Sequence, residues 1–251
     1  MQELAGVRID KLGLSHYFKN YEEFLGPLRD QPIKMLELGI ANGDSLRYWH
    51  DWLPLAQIAG LDIAPAPADL PTDRIHCYQG EQQDPKILDR IGREIAPEGF
   101  DVIIDDASHV GQLTRLSFWH LYENHLKPGG LYFIEDWGTG YWPAYHDGRR
   151  YTPKAPQFAP HERVLNALMR NPLVRRIRLL RKTVGYARWT LVQSRFPSHV
   201  HGMVGFIKEL VDECGMADIT HAQFGKGKAR SSRFEWVRLS EGHAIVKKPS
   251  S

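Results

Sequence analysis

The chain has 251 residues, 42% apolar and 25% charged, which are the proportions of an ordinary globular protein and exclude collagen-like, coiled-coil and wholly disordered chains. No apolar run reaches about 18 residues, the length that a bilayer requires, so we expect no membrane-spanning helix. The net charge of +2 conceals an acidic part, residues 1–162 with 15 Lys and Arg against 24 Asp and Glu, and a basic part, residues 163–251 with 17 against 6.

Short apolar runs then alternate with helical patterns along the chain. We predict five strands at 33–38, 57–62, 75–79, 102–104 and 131–134. We predict helices at 16–25, 44–52, 84–95, 112–125 and 203–214. This alternation predicts an α/β fold, a Rossmann-like, doubly wound and mostly parallel sheet with helices on both faces. Two final apolar runs, 234–239 and 243–246, predict an antiparallel hairpin at the edge of the sheet.

We expect a single domain that carries two additional segments. Residues 1–30 form an N-terminal helical segment, whose aromatic stripe is either core packing or a flap over a ligand. Residues 137–201 break the regular alternation, and we expect an insertion or lid there that shapes an acceptor site. Because the chain has two well-separated cysteines, Cys77 and Cys214, and no apolar leader at its N-terminus, it favours a cytoplasmic protein.

The first candidate binding motif leaves strand 33–38 and enters a helix. Gly39 and Gly43 let the backbone approach a ligand, and the helix start around Ser45 presents free N–H groups. The full G-x-G-x-x-G fingerprint of dinucleotide binding is absent from this segment. Because Glu37 is acidic, it disfavours a ligand with a pyrophosphate and favours a ligand with an amine or ammonium group. A purely structural tight turn is the alternative.

Two later strand ends add a nucleoside site. Asp62 closes the second strand, where a carboxylate can accept two hydrogen bonds from a ribose diol. Together with Glu37 it describes a nucleoside site without a phosphate cradle, which fits S-adenosylmethionine (SAM). Gln82 or Gln83, after the third strand, could hydrogen-bond the adenine edge, while Asp84 is typical of a helix cap. For Asp62 the alternative is a cap or turn acid.

Four carboxylates and one imidazole follow the fourth and fifth strands, and they should converge on one crevice. They are Asp105, Asp106, His109, Glu135 and Asp136. Clustered acids repel one another unless they are protonated or neutralised by a cation, so we predict a divalent metal, Mg²⁺ first and Mn²⁺ second. Asp106, Glu135 and Asp136 are its predicted ligands, and Asp105 is turned toward the SAM side. The metal would hold a substrate hydroxyl, and His109 would take its proton as general base.

A plainer alternative treats these acids as structural. In it Asp105 and Asp106 cap the next helix and His109 lies on the surface. The second acidic pair, Glu135 and Asp136, makes that alternative weaker.

The strand-end motifs described above resemble those of a known family, the metal-dependent class I SAM methyltransferases that act on sugar hydroxyls of glycosylated natural products. That family includes macrolide deoxysugar O-methyltransferases of the mycinamicin and tylosin type and rhamnosyl O-methyltransferases. The likeness covers about residues 8–142, including Asp10, Lys11, His16 and Tyr21, and returns in 234–247. The matching motifs are Leu36–Leu46, Gly60–Ile63, Gly80–Asp84, Asp105–His109 and Leu126–Asp136, with Tyr141 and Trp142.

The resemblance implies the class I methyltransferase fold and transfer of the SAM methyl group to a hydroxyl of a small or glycosylated acceptor. It places SAM at Glu37, Gly39, Asp62 and Gln82, the metal at Asp106, Glu135 and Asp136, and the base at His109. Ala107 stands where the family usually has glycine, and residues 137–201 match none of its members.

Residues 163–195 form a basic segment with arginines and lysines among leucines and valines. This pattern fits a helical lid with solvated arginines, a helix lying on an anionic membrane surface, or a contact with a second subunit. Nucleic acid is disfavoured because no nucleic-acid-binding motif accompanies the charge. Two other functions stay open, a metal-dependent hydroxylase-like enzyme and a non-catalytic scaffold or membrane-associated subunit that uses this helix.

Overall fold

The computed structural model describes residues 15–151, 164, 167–193, 199–217, 221–225 and 230–250. Its strands are β1 Lys34–Leu38, β2 Gln57–Asp62, β3 Ile75–Gln79, β4 Phe100–Asp105, β5 Leu126–Ile134, β6 Trp236–Leu239 and β7 Ala244–Lys247. They form one seven-stranded sheet in the order β3-β2-β1-β4-β5-β7-β6. β1 to β5 are parallel, and β7 runs antiparallel to both of its neighbours. The mostly parallel sheet and the terminal hairpin are therefore confirmed.

Helices cover both faces of this sheet. The α-helices of the described residues are α1 Ser15–Leu25, α2 Asp44–Trp52, α3 Pro85–Ile95, α4 Gly111–Asn124, α5 Pro172–Arg176, α6 Arg178–Gln193, α7 Gly202–Gly215 and α8 His221–Phe224. Successive strand side chains point to opposite faces and so feed two apolar cores. One core packs α3, α4 and α7 on the sheet, and the other packs α1 and α2. This is the doubly wound Rossmann-like fold that the alternation predicts.

Two strands, β4 and β5, extend further than the apolar runs 102–104 and 131–134 indicate. Predicted strand 131–134 is the last part of β5, which begins at Leu126 and passes through Pro128, Gly129 and Gly130. A register shift against β4 accommodates these residues, since Phe100 pairs with Leu126 but Val102 pairs with Leu131. The pairing of β4 with β5 is thus irregular at the Pro-Gly-Gly sequence, which on its own is typical of a turn.

Other predicted ends differ from the structure by one or two residues. The helix predicted to start at 84 starts at Pro85, because the Asp84 carboxylate accepts the backbone N–H of Lys86 at 3.0 Å and so acts as its cap.

The chain divides into two compact units. One comprises the described residues up to Arg149 and from Val200 onward, and the other comprises those of 150–199. Residues 137–149, within the predicted insertion, thus belong to the larger unit. Asp10 and Lys11 of the family resemblance, and parts of the basic segment, lie outside the described residues. None of the helices in the described part is both long and apolar enough to cross a membrane.

Candidate functional site

A cavity of about 390 Å³ opens at the carboxyl ends of β1, β2, β3 and β4. Parallel sheets bind ligands at this edge because the loops that leave the strands diverge there. Four of the predicted cofactor residues line the cavity, as does the predicted metal ligand Asp106. The four are Gly39, Ser45, Asp62 and Gln82.

The loop after β1 forms one wall. Gly39 has a φ of +98°, and a Cβ there would lie 2.2 Å from the carbonyl oxygen of Asp106, so only glycine lets the two loops meet. Asp62 holds this loop, because one of its carboxylate oxygens accepts the backbone N–H groups of Ile40 at 2.7 Å and of Ala41 at 3.0 Å. Its other oxygen accepts the N–H of Ala64 at 2.8 Å. Asp62 is thus a turn acid that also faces the cavity.

These contacts keep Asp62 ionised. Burial opposes the charge, but the N–H groups of Ala41, Ala64, Ile40 and Ile63 outweigh it and lower the pKa of the carboxyl. A ribose diol would therefore meet a negatively charged acceptor.

Three predicted cofactor residues do not line the cavity. Glu37 is only 1% exposed inside β1, and its charge acts on Tyr21 of α1. Gly43 lies against Leu70, since a Cβ there would be 2.9 Å from that side chain. Asp105 is 2% exposed at the end of β4.

Asp105 lies within a buried polar network behind the cavity wall. It accepts hydrogen bonds from Gln82 Nε2 at 3.2 Å and from the Ser117 hydroxyl at 3.1 Å. Burial raises the pKa of Asp105 to about 7, although the hydrogen bonds from Ser117, the Ala107 backbone and Gln82 lower it. The Gln82 amide oxygen accepts the N–H of Ser108 at 3.0 Å. The amide of Gln82, one of the two glutamines expected to hydrogen-bond an adenine edge, is therefore engaged by the protein.

The ends of β4 and β5 bring three of the predicted catalytic and metal residues together. Asp106, His109 and Asp136 each offer one ligand atom, and these atoms lie within 4.8 Å of one another. His109 Nε2 is 4.0 Å from a carboxylate oxygen of Asp106. The carboxylate oxygens of Asp106 and Asp136 are donors that Mg²⁺ and Mn²⁺ accept, so these two acids fit the predicted ion, and the His109 imidazole lies beside them.

The backbone at this edge of the sheet is unusual. Ala41, His109 and Asp136 have φ values of +47°, +51° and +52°, and they are the non-glycine residues of the described part with positive φ. Each such conformation costs about 1–3 kcal/mol and persists where the surroundings impose it, often at functional sites. Here all three lie beside the cavity or in the acidic cluster.

Helix α1 covers the acids with two tyrosines. They belong to the aromatic stripe for which the sequence predicts either core packing or a flap over a ligand. The Tyr17 hydroxyl donates to Asp136, and the Tyr21 hydroxyl donates to Glu135. Burial, together with these carboxylates, raises the pKa of both phenols, so both remain protonated donors. Glu135, the third predicted metal ligand, is fully buried under Tyr21.

The same two rings pack as core residues do. Tyr21 lies against Trp49 and Phe133, and both tyrosines lie against His243. Their spacing of four residues places them on one helix face, which the sequence could indicate. Their hydrogen-bond partners, Asp136 and Glu135, are more than a hundred residues away in the sequence, so no local pattern indicates them.

No protein-family model matches the chain. Mycinamicin VI 2''-O-methyltransferase of Micromonospora griseorubida is 41% identical over 143 residues, which are 54% of this chain and 35% of that protein. The 8-demethyl-8-(2-methoxy-alpha-L-rhamnosyl)-tetracenomycin-C 3'-O-methyltransferase of Streptomyces olivaceus is 41% identical over 144 residues, which are 54% of this chain and 36% of that protein. This chain thus spans about a third of the length of these relatives.

A solved structure is similar over almost the whole chain. MycE methyltransferase from the mycinamycin biosynthetic pathway, in complex with Mg, SAH and mycinamycin VI, has a TM-score of 0.63 and 29% identity. The match covers 95% of this chain and 50% of that chain. In sequence and in fold this chain is therefore similar to O-methyltransferases of natural-product biosynthesis.

Proposed function

We propose that the chain is a SAM-dependent O-methyltransferase that acts on a hydroxyl group, on a sugar of a glycosylated metabolite or glycolipid. One observation carries the proposal. Asp106 lines the cavity and also belongs to the cluster with His109 and Asp136, so a methyl donor and a cation-bound hydroxyl would lie side by side.

The roles of the residues follow from their positions. Asp62 accepts the ribose hydroxyls, and the backbone at Gly39 and Ser45 borders the rest of the cofactor. Asp106 and Asp136, with Glu135 behind them, hold Mg²⁺. When bound, the ion supplies positive charge that favours the ionised form of the acceptor hydroxyl.

His109 is the general base of this proposal. Its Nε2 accepts the hydroxyl proton while the acceptor oxygen forms a bond to the methyl carbon of SAM. The bond from that carbon to sulfur breaks, and its electron pair turns the sulfonium into a neutral thioether. Transfer therefore produces a methyl ether, S-adenosylhomocysteine and a protonated His109.

The relatives favour this function over the two others that the sequence left open. Those named above are O-methyltransferases, and the similar solved structure contains Mg and SAH, which supports SAM and Mg²⁺ as the cofactors here. A hydroxylase-like enzyme or a scaffold has no comparable support.

We propose further that the unit within 150–199 provides membrane contact and that the protein is cytoplasmic and peripheral. Leu179, Leu180 and Tyr186 of α6 are 74%, 43% and 69% exposed, beside exposed Arg181 and Lys182. A basic helix with an exposed apolar side is typical of helices that lie on anionic bilayers. Part of the insertion 137–201 would shape the acceptor site.

The test combines binding and transfer. We expect Asp62→Ala to weaken SAM binding in calorimetry by at least about tenfold, the loss of one charge-assisted hydrogen bond. We expect chelation or Asp106→Ala to abolish transfer of labelled methyl groups to a panel of rhamnosylated and deoxysugar compounds. Glu98→Ala, an exposed acid before β4, is the matched control. Full transfer after chelation and in Asp106→Ala would exclude the metal-assisted mechanism.

A further inference from the structure

A second group of metal-type ligands lies far from the acidic cluster. Asp89 is on α3, His120 is on α4, and His125 directly follows α4. His120 Nε2 and His125 Nε2 lie 2.7 Å and 2.8 Å from the same carboxylate oxygen of Asp89. One ligand atom from each residue falls within 4.8 Å of the others. Two imidazoles from separate turns of the chain thus converge on one point.

The surrounding backbone makes room for this arrangement. Gly92 occupies the middle of α3, where glycine is unfavourable. A Cβ at Gly92 would lie 2.3 Å from Nδ1 of His125, so any larger residue would displace the imidazole. The helix therefore accepts a poor helix former at the one position that the His125 ring requires.

The three side chains are open to solvent. Asp89, His120 and His125 are 40%, 24% and 14% exposed, so an ion can enter and a water molecule can complete its coordination. They lie near the amino ends of the strands, since the His125 carbonyl accepts the N–H of Phe100, the first residue of β4. The cavity lies at the carboxyl ends, so about the length of a strand, roughly 17 Å for six residues, separates the two groups.

We propose that Asp89, His120 and His125 form a second metal site, which binds Zn²⁺. Two imidazoles and one carboxylate are the donors of three-ligand zinc sites, whereas Mg²⁺ prefers oxygen donors, as at the strand ends. Each imidazole binds through the Nε2 lone pair with its proton on Nδ1. The ion ties α3 to the end of α4 and the start of β5, and so acts as a staple between these elements.

The experiment measures Zn²⁺ binding by the full chain, freed of metal and then supplied with excess Mg²⁺ to occupy the acidic cluster. We expect one equivalent of Zn²⁺ to remain bound in His109→Ala, which removes the imidazole of the acidic cluster. We expect His120→Gln and His125→Gln each to weaken binding by more than about tenfold. His76→Gln, in which the lost imidazole hydrogen-bonds Gln57, is the matched control and should bind as the wild type does.

Two further readouts separate the site from an effect on folding or on catalysis. Zn²⁺ should raise the Tm of the wild type and of His76→Gln but leave that of His120→Gln unchanged, and methyl transfer should be equal in all three. Unchanged Zn²⁺ affinity in both His120→Gln and His125→Gln would overturn the proposal. So would a wild type that binds no Zn²⁺ once Mg²⁺ is present, because the three side chains would then be hydrogen-bonded partners only.

Discussion

Asp147 is a single residue that joins the starts of two helices far apart in the sequence. Its side chain is 2% exposed, and one carboxylate oxygen accepts the N–H of Gly111 at 2.7 Å and of Met203 at 2.9 Å. These N–H groups belong to the first turns of α4 and α7, which have no partner within their own helices. A Cβ at Gly202 would lie 2.1 Å from the Asp147 carboxyl carbon, so glycine is needed for the approach.

Replacing this shared cap should destabilise the fold. We expect Asp147→Ala to lower the free energy of unfolding by about 2–4 kcal/mol, because two buried donors lose a charged acceptor. Urea denaturation measures the change. Asp147→Asn keeps one oxygen acceptor and should lose less, and an equal loss in both variants would contradict the hydrogen-bond explanation.

The contribution of Asp147 to the free energy of unfolding should also depend on pH. Burial opposes its ionisation, but the Gly111 N–H, the His146 side chain and the Met203 N–H together lower the pKa of Asp147 in the folded state. Its stabilisation is therefore complete above the usual aspartate pKa and is lost as the pH falls through the lower folded value. The difference between wild type and Asp147→Ala should shrink below about pH 4. An unchanged difference at acid pH would contradict this assignment.

At the residue scale the sequence could predict which acids meet but not how each is held. Asp106, His109 and Asp136 come together as predicted, because adjacent parallel strands end at one edge. Glu37 faces α1 instead of the cavity, and Gln82 is engaged by Asp105, since both depend on side-chain contacts that periodicity does not encode.

At the scale of elements, α1 is the helix that fixes the acids. Its hydroxyl donors reach Asp136 and Glu135, and partners of this kind orient metal ligands and raise their affinity. We expect Tyr17→Phe to raise the Mg²⁺ concentration needed for half-maximal methyl transfer by about tenfold or more. SAM affinity should be unaffected, because Tyr17 does not line the cavity.

Tyr48→Phe is the control for this change. Tyr48 is a buried tyrosine of α2 whose hydroxyl has no hydrogen-bond partner among the described residues, so its removal should leave the Mg²⁺ requirement unchanged. Equal Mg²⁺ requirements in Tyr17→Phe and the wild type would show that α1 only packs against the site.

Elements with strong periodicity were predicted well, and irregular ones were not. The helices on either side of the sheet and the central strands follow from apolar spacing. The start of β5 does not follow from apolar spacing, because Pro128 and Gly129 are typical of a turn. Only the pairing with β4 makes this segment a strand.

At the scale of the whole molecule, charge divides the chain into an acidic part with the candidate site and a basic part with α6. Leu179 and Tyr186 are seven residues apart and share one side of α6, whereas Arg181 lies on the opposite side and Lys182 borders the apolar pair. We expect the protein to sediment with phosphatidylglycerol vesicles and far less with phosphatidylcholine, and added salt should release it.

The apolar side of α6 can be tested separately. Changing Leu179 and Tyr186 together to serine should weaken vesicle binding by at least about tenfold, since two side chains that would be buried in the bilayer are lost. Val211→Ser on α7, at another exposed apolar position, is the control. Equal binding to neutral and anionic vesicles would contradict the proposed surface.

The doubly wound, mostly parallel sheet was predictable from the alternation of strands and helices, because right-handed crossovers leave few topologies. The division at residues 150 and 199 was not, since it depends on contacts within the smaller unit that its basic sequence does not reveal.

The position of β7 sets an order of assembly during synthesis. This strand is the last of the seven in the chain, yet it lies between β5 and β6, so one side of β5 stays bare until residues 244–247 have left the ribosome. Asn20 of α1 contacts Ser240 and His243 in the preceding turn, so the first helix cannot dock fully until then. The nascent protein can therefore cover its acidic cluster with the tyrosines of α1 only after residues 240–247 have been synthesised.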